Sequence, residues 1–242
     1  MSAEKFDPFV SEWISFSKNP NYNLIEKCLK LAQILEDHDL DVSKYVEKIN
    51  DIGNSLSMKI SGIKNPTYLI SMLNEYLFDE LGFRGAEEDY YDPGNSFLNI
   101  VFNKKTGIPI TLSIIYAEIA KKIGLDLKIV GFPGHVIVKY KNEIILDPFY
   151  RGRLLTIEDL EEILDRNFGD GVEFVPEYLN EATTEQLLTR LLRNLKNAYT
   201  QSYAYDNAMK CTDMILGMRP ESPEEIRDKG CLLYTSPSPR DS

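Results

Sequence analysis

Apolar positions in the first third of the chain recur at helical spacing. Phe9, Val10, Trp13 and Ile14 form one short face, and Leu24, Ile25, Cys28, Leu29, Leu31, Ala32 and Leu35 form a second. Val42, Tyr45, Val46, Ile49, Ile52, Leu56 and Ile60 keep the period over a longer stretch. Asn65-Pro66 places a capping side chain before a proline at the first helical position, predicting a fourth helix that Gly82 ends. Residues 83–100 read as loop-like, and Asn95 or Ser96 then caps a short helix bearing Phe97, Leu98, Val101 and Phe102. From 109 to 123 the chain is apolar nearly all round, which predicts a central, buried helix.

After Gly124 the period changes. Val/Ile-rich runs at 127–131, 135–140 and 143–147 predict short strands, the last two joined by a two-residue turn at Lys141-Asn142. Thr156 with Asp159 starts another helix as a capping box. From Thr183 the chain is helical again, with Leu192, Leu195, Tyr199, Ala208 and Pro220 at spacings found in tetratricopeptide repeats, and Ser222 with Glu225 opens a further helix. A plain helical hairpin gives much the same pattern. The fold class is α+β: a helical lead-in over 1–62, a core over 63–180 with a small antiparallel sheet on a central helix, and helices over 181–230. Residues 231–242 resemble translated sequencing adapter, and the expectation is that they add nothing to the fold.

Composition narrows the function. A 43% hydrophobic and 27% charged chain is globular. Its net charge of −11 disfavours a nucleic-acid backbone or an anionic membrane as partner. No apolar run reaches membrane-spanning length and Met1–Asp7 has no apolar signal core, so the cytoplasm is the expected location. Cys28 and Cys211 lie in helical patterns and read as buried apolar residues. The chain has only two histidines, one of them in the polar run Glu36-Asp37-His38-Asp39, so neither a metal site nor a cofactor is expected.

The chemistry concentrates after residue 107. A helix start at Pro109, a strand carrying His135 and a strand ending in Asp147 follow one another in the order nucleophile, base, orienting acid. A carboxylate beside an imidazole fixes its tautomer, and a helix N-terminus offers unpaired N–H groups. Each part also has an ordinary role: His as a satisfied structural side chain, Asp-Pro as a turn, Pro as a helix starter.

Four segments in order resemble the SirB-type transglutaminase-like proteins of bacteria. They are Phe78–Gly85, Tyr91–Asn99, Gly107–Leu112 with Gly124, and Phe132-Pro133-Gly134-His135 with Asp147-Pro148-Phe149. The resemblance implies a transglutaminase-like core followed by tetratricopeptide-type helices. Comparison with active transglutaminase-like proteins implies that their His and Asp correspond to His135 and Asp147. Counted back from Gly124, their cysteine position falls on Pro109, which has no nucleophilic atom. The leading expectation is therefore a non-catalytic module. Its vestigial cleft, with Asn95, Asn99, Pro109 and Gly134, would hold a peptide or small polar ligand, and its repeat helices would bind a protein partner. The alternative is a hydrolase or acyltransferase using Thr111 with His135 and Asp147. A third is an assembly factor with no site at all.

Overall fold

The computed structural model describes residues 7–60, 62–169 and 171–235. Helices dominate, with two small sheets. Four lead the chain: α1 (Pro8–Lys18), α2 (Leu24–Leu35), α3 (Val42–Lys59) and α4 (Pro66–Asn74). Their starts follow from capping chemistry: Asp7, Asn23, Asp41 and Asn65 each accept a first-turn N–H, and Asn23 with Glu26 completes a reciprocal box. The predicted fourth helix changes pitch at its end, where Glu75–Glu80 form a π-helical turn.

The segment expected to be a loop contains structure. Strand β1 (Arg84–Gly85) pairs in parallel with β2 (Thr106–Gly107), and Pro93–Ser96 make a 3₁₀ turn. Helix α5 (Leu98–Lys104) follows from Phe97, without the side-chain cap expected of Asn95 or Ser96. Both polar residues are buried and serve the loop instead: Asn95 Nδ2 donates to the Asp89 carbonyl at 2.6 Å.

Helix α6 (Pro109–Lys122) is the central element. Ile110, Leu112, Ile114, Ile115, Tyr116, Ile119 and Ala120 are all buried. It packs on α2 and α3 on one side and on the larger sheet on the other. That sheet is antiparallel in the order β3 (Leu127–Val130), β4 (Ile137–Tyr140), β5 (Ile144–Asp147), β6 (Arg153–Leu154). Its outer face carries a second cluster, in which Val130, Phe132 and Ile137 meet Leu160 and Leu164 of α7 (Ile157–Phe168).

The β4–β5 hairpin corrects the sequence reading. Tyr140 pairs with Ile144 rather than with residue 143, so the loop is Lys141-Asn142-Glu143, with Lys141 left-handed at φ 51°. A two-residue turn needs positive φ at residues that tolerate it; a longer loop needs one such residue. Strand β6 also went unpredicted, being two residues long and exposed on both faces.

Helices α8 (Thr184–Gln201), α9 (Tyr205–Met218) and α10 (Pro223–Thr235) close the described chain, each packed on the next. Glu225 does not complete the predicted box with Ser222. Its carboxylate accepts from Arg193 Nε at 2.7 Å and Lys196 Nζ at 2.6 Å, docking α10 onto α8. Helix α10 also runs past Gly230, and Leu232 is buried in the main core, so residues 231–235 are part of the fold. Residues 236–242 lie outside the described residues.

Candidate functional site

His135 enters the sheet through a tight turn. Its N–H bonds to the Phe132 carbonyl at 3.1 Å across Pro133 and Gly134, and Gly134 has φ +73°. Proline then positive-φ glycine is the chemistry of a type II turn. A side chain at Gly134 would be strained twice, because a Cβ there would lie 2.5 Å from Asn167 of α7. Arg190 of α8 adds a second donor to the same Phe132 carbonyl at 2.8 Å.

Asp147 closes β5. Its Oδ1 accepts the Phe149 N–H at 2.9 Å, the Asp-Pro turn expected, and its backbone carbonyl takes the Gly152 N–H at 2.8 Å. The other oxygen, Oδ2, lies 2.7 Å from His135 Nε2. A carboxylate only accepts, so Nε2 carries the proton and, in the neutral ring, Nδ1 is left as the acceptor. Asp147 is 1% exposed, and His135 retains 13% of its side-chain surface. The ring lies edge-on to Phe149 at 6.2 Å and parallel to Tyr150 at 6.5 Å.

The N-terminal turn of α6 reaches this region through Ser113. Its hydroxyl donates to the carbonyl of Val136, the residue after His135, at 3.3 Å. Pro109 lies one turn earlier, at the first helical position, where the amide hydrogen it lacks would have had no partner.

Thr111 is pinned. Its hydroxyl accepts the Ile108 N–H at 3.1 Å and has the carbonyls of Asn95 (2.9 Å) and Ile108 (3.1 Å) as acceptors for its own proton. It is 0% exposed, and Gly107 packs on it so closely that a Cβ would come within 2.8 Å of the hydroxyl. That is the local backbone role of a first-turn threonine. Ser113 is likewise buried and engaged.

The residues expected to line one cleft are dispersed. Asn95 lies in a cavity of about 760 Å³ with Gly85, Glu87, Glu88, Asp89, Phe149 and Tyr150. Gly134 borders a different cavity of about 600 Å³ against α8. Asn99 sits within α5, its amide 3.4 Å from Glu36, and Pro109 is buried at its helix start; neither lines either cavity. The aromatic neighbours of His135, Phe149 and Tyr150, were missed as a group. The signal was present in the Asp-Pro-Phe-Tyr run that follows directly on Asp147.

Of the three thiols, Cys231 is exposed and the other two are buried. Burial pushes Cys28 up to about 12 and raises Cys211 as well. Both serve as core residues of α2 and α9.

Residues 43–193 match the model of the transglutaminase-like superfamily, well over half of the chain. The chain belongs to the transglutaminase-like superfamily. It is 36% identical over 202 residues to a UPF0162 protein of Xylella fastidiosa, covering 81% of this chain and 72% of that protein. A UPF0162 protein of Vibrio cholerae is 30% identical over 159 residues, 64% of this chain and 58% of that one. Human F-box only protein 21 is 27% identical over 215 residues, 80% of this chain and 33% of its own. No solved structure matches. The matched span of this transglutaminase-like chain takes in β1 through α7 and ends within α8, and so includes every residue of the His135–Asp147 constellation.

Proposed function

We propose that this protein is a non-catalytic transglutaminase-like module that binds an extended peptide beside a retained His–Asp pair. The observation that carries the reading is the combination of Pro109 at the start of α6 with an intact 2.7 Å His135–Asp147 bond. A base and its orienting acid remain, and the position that active transglutaminase-like proteins fill with cysteine holds a residue without a reactive atom. The hydroxyls of Thr111 and Ser113 are buried and committed to backbone groups, which speaks against a replacement nucleophile.

The cavity of about 760 Å³ that shares Phe149 and Tyr150 with His135 is the binding surface. Aromatic side chains line it, and its four carboxylates, Glu87, Glu88, Asp89 and Asp92, outnumber the cations Arg84, Lys104 and Arg151 by one, which suits a segment with a basic side chain. Helices α8 to α10 are read as tetratricopeptide-like, presenting a second, protein-binding face.

Two measurements on the whole chain test this. Titration with a lysine-containing extended peptide should shift the NMR signals of Gly85, Asn95 and Tyr150 saturably. Incubation with an acyl-transfer probe should leave the intact mass unchanged. A stoichiometric adduct mapped to Thr111 would establish the hydrolase or acyltransferase instead. A binding-silent cavity with His135→Ala altering stability alone would leave only the assembly-factor reading.

A further inference from the structure

A separate cavity of about 600 Å³ lies between the turn at Gly131, Pro133 and Gly134 and the outer face of α8. Three arginines line it, and two have carboxylate partners. Arg193 pairs with Glu224 and Glu225, and Arg219 with Glu185 at 3.7 Å. Arg190 has none: among the described residues no carboxylate lies within ion-pair distance of it, and one hydrogen bond, from NH1 to the Phe132 carbonyl, accounts for a single N–H of the five it carries. Arg190 is half-buried. A guanidinium taken partly out of water without a counter-ion is a cost that a folded protein ordinarily avoids.

Thr189 makes the second observation. It lines the same cavity, is 3% exposed, and its hydroxyl has no partner among the described residues. Other helical threonines here satisfy themselves locally: Thr200 donates to the Lys196 carbonyl at 2.7 Å and Thr212 to the Ala208 carbonyl at 2.9 Å. Thr189 does not turn back on its own helix, so a hydroxyl without a partner and a guanidinium without a carboxylate partner line the same cavity.

We infer that Arg190 and Thr189 form an oxyanion site, and that its ligand carries a carboxylate. The guanidinium fork matches two carboxylate oxygens, and the hydroxyl supplies a further donor. One uncompensated positive charge, in a cavity that also carries Glu177 and Glu181, matches one negative charge rather than a phosphate dianion. Leu187, Ala182 and Tyr178 give the rest of such a ligand an apolar wall, with the amides of Asn180 and Asn194 for its polar groups. Burial lowers the Arg190 pKa, with Tyr90 nearby acting the other way, in keeping with a site that gains from an arriving anion. The site is distinct from the acidic cavity of the proposed peptide reading and has its own reporters. It communicates with the His135 turn, because the Phe132 carbonyl that holds Arg190 also takes the His135 N–H.

The test uses N-acetylglycine, its neutral amide N-acetylglycinamide, and inorganic phosphate, each titrated into the whole chain at constant ionic strength. NMR reads the Arg190 Nε–H and the Thr189 amide. N-acetylglycine should move both signals saturably, with the amide and phosphate at least tenfold weaker. Thr189→Val, which keeps shape and removes the hydroxyl, should weaken N-acetylglycine several-fold with unchanged thermal stability, and Arg190→Gln should abolish the response with the fold retained by circular dichroism. Equal shifts with the acid and the amide, no saturation, phosphate binding alone, or an unaltered response in Thr189→Val would each overturn the assignment. Signals at Gly85 and Tyr150 report the acidic cavity independently, so failure here is distinguishable from failure of the peptide reading.

Discussion

His135 and Asp147 meet because of the hairpin's register. With Tyr140 opposite Ile144 and Val138 opposite Leu146, the next step of the pairing sets Ile137 opposite Asp147 on the sheet face of the second cluster. From the turn just before β4, His135 brings its Nε2 to Oδ2 at 2.7 Å. The tighter pairing of 140 with 143 would have turned Asp147 to the other face. The three-residue loop at Lys141-Asn142-Glu143 is thus a condition for the site.

The first prediction concerns Asp147. It satisfies the Phe149 N–H and the His135 ring from a nearly solvent-free position. Asp147→Ala leaves both donors unpaired and should cost about 2–4 kcal/mol in urea unfolding. Asp147→Asn keeps an acceptor for Phe149 and should cost less, while inverting the tautomer seen in imidazole nitrogen shifts. Equal destabilisation by the two variants would show that the carboxylate's hydrogen bonds are not what the position requires.

A second prediction follows from the turn. Gly134→Ala combines a positive φ with a Cβ 2.5 Å from Asn167, and should destabilise by about 1–3 kcal/mol. Adding Asn167→Ala should recover only part of the steric cost, because the Cβ at 167 stays 2.8 Å away. Full recovery would mean that φ contributes nothing.

The ion cluster of α8 and α10 gives a third. Glu225 is 0% exposed and bridges Arg193 and Lys196. Glu225→Leu leaves the buried Lys196 ammonium with one carboxylate partner instead of two and should cost about 1–3 kcal/mol, whereas pairing it with Lys196→Met should recover part of that in a double-mutant cycle. Asp228 also holds Lys196, at 2.7 Å. Burial opposes its ionisation, but hydrogen bonds from Lys196 and Arg227 leave its carboxyl below the ordinary value. A depressed folded-state pKa contributes stability above the unfolded value of about 3.9 and loses it as pH falls through the folded one. Acid unfolding should therefore steepen below about pH 4, and Asp228→Asn should flatten that limb. An unchanged acid limb would contradict the assignment.

Cys28 and Cys211 supply the fourth. With Cys28 pushed up to about 12 and both thiols buried, neither should react with a disulfide reagent at neutral pH until the chain unfolds. Fast native labelling of either, traced by peptide mapping, would show a thiol poised for chemistry.

Much of the fold was legible because long amphipathic helices write their period into the sequence over many residues. The cap Asn65, the return to helix at Thr183, the box of Thr156 with Asp159 and the all-apolar α6 all lie where pattern put them. The short elements were not legible. Two-residue strands such as β1, β2 and β6 carry no period, and the π-turn at Glu75–Glu80 keeps the apolar spacing of the helix it ends. Within the site, His135 and Asp147 could be paired from topology. The fates of Asn99, Gly134 and Thr111 could not, because they depend on which neighbour each side chain finds across the core. Glu225 shows the same limit: a local capping rule lost to a long-range pair with Lys196.

The most direct test of the central claim is to restore the missing atom. Pro109→Cys places a thiol at the N-terminus of α6, one turn from Ser113 and its bond to the Val136 carbonyl. The helix end favours thiolate, and His135 Nδ1 is free of Asp147 to accept the proton. The measurement is the pH titration of the thiolate's ultraviolet absorbance, with and without His135→Ala. The account predicts a midpoint well below the free-thiol value of about 8.5, moving up when His135 is removed. A thiol that titrates at or above the free value regardless of His135 would contradict it, and Pro109 would then not mark the vacant nucleophile position.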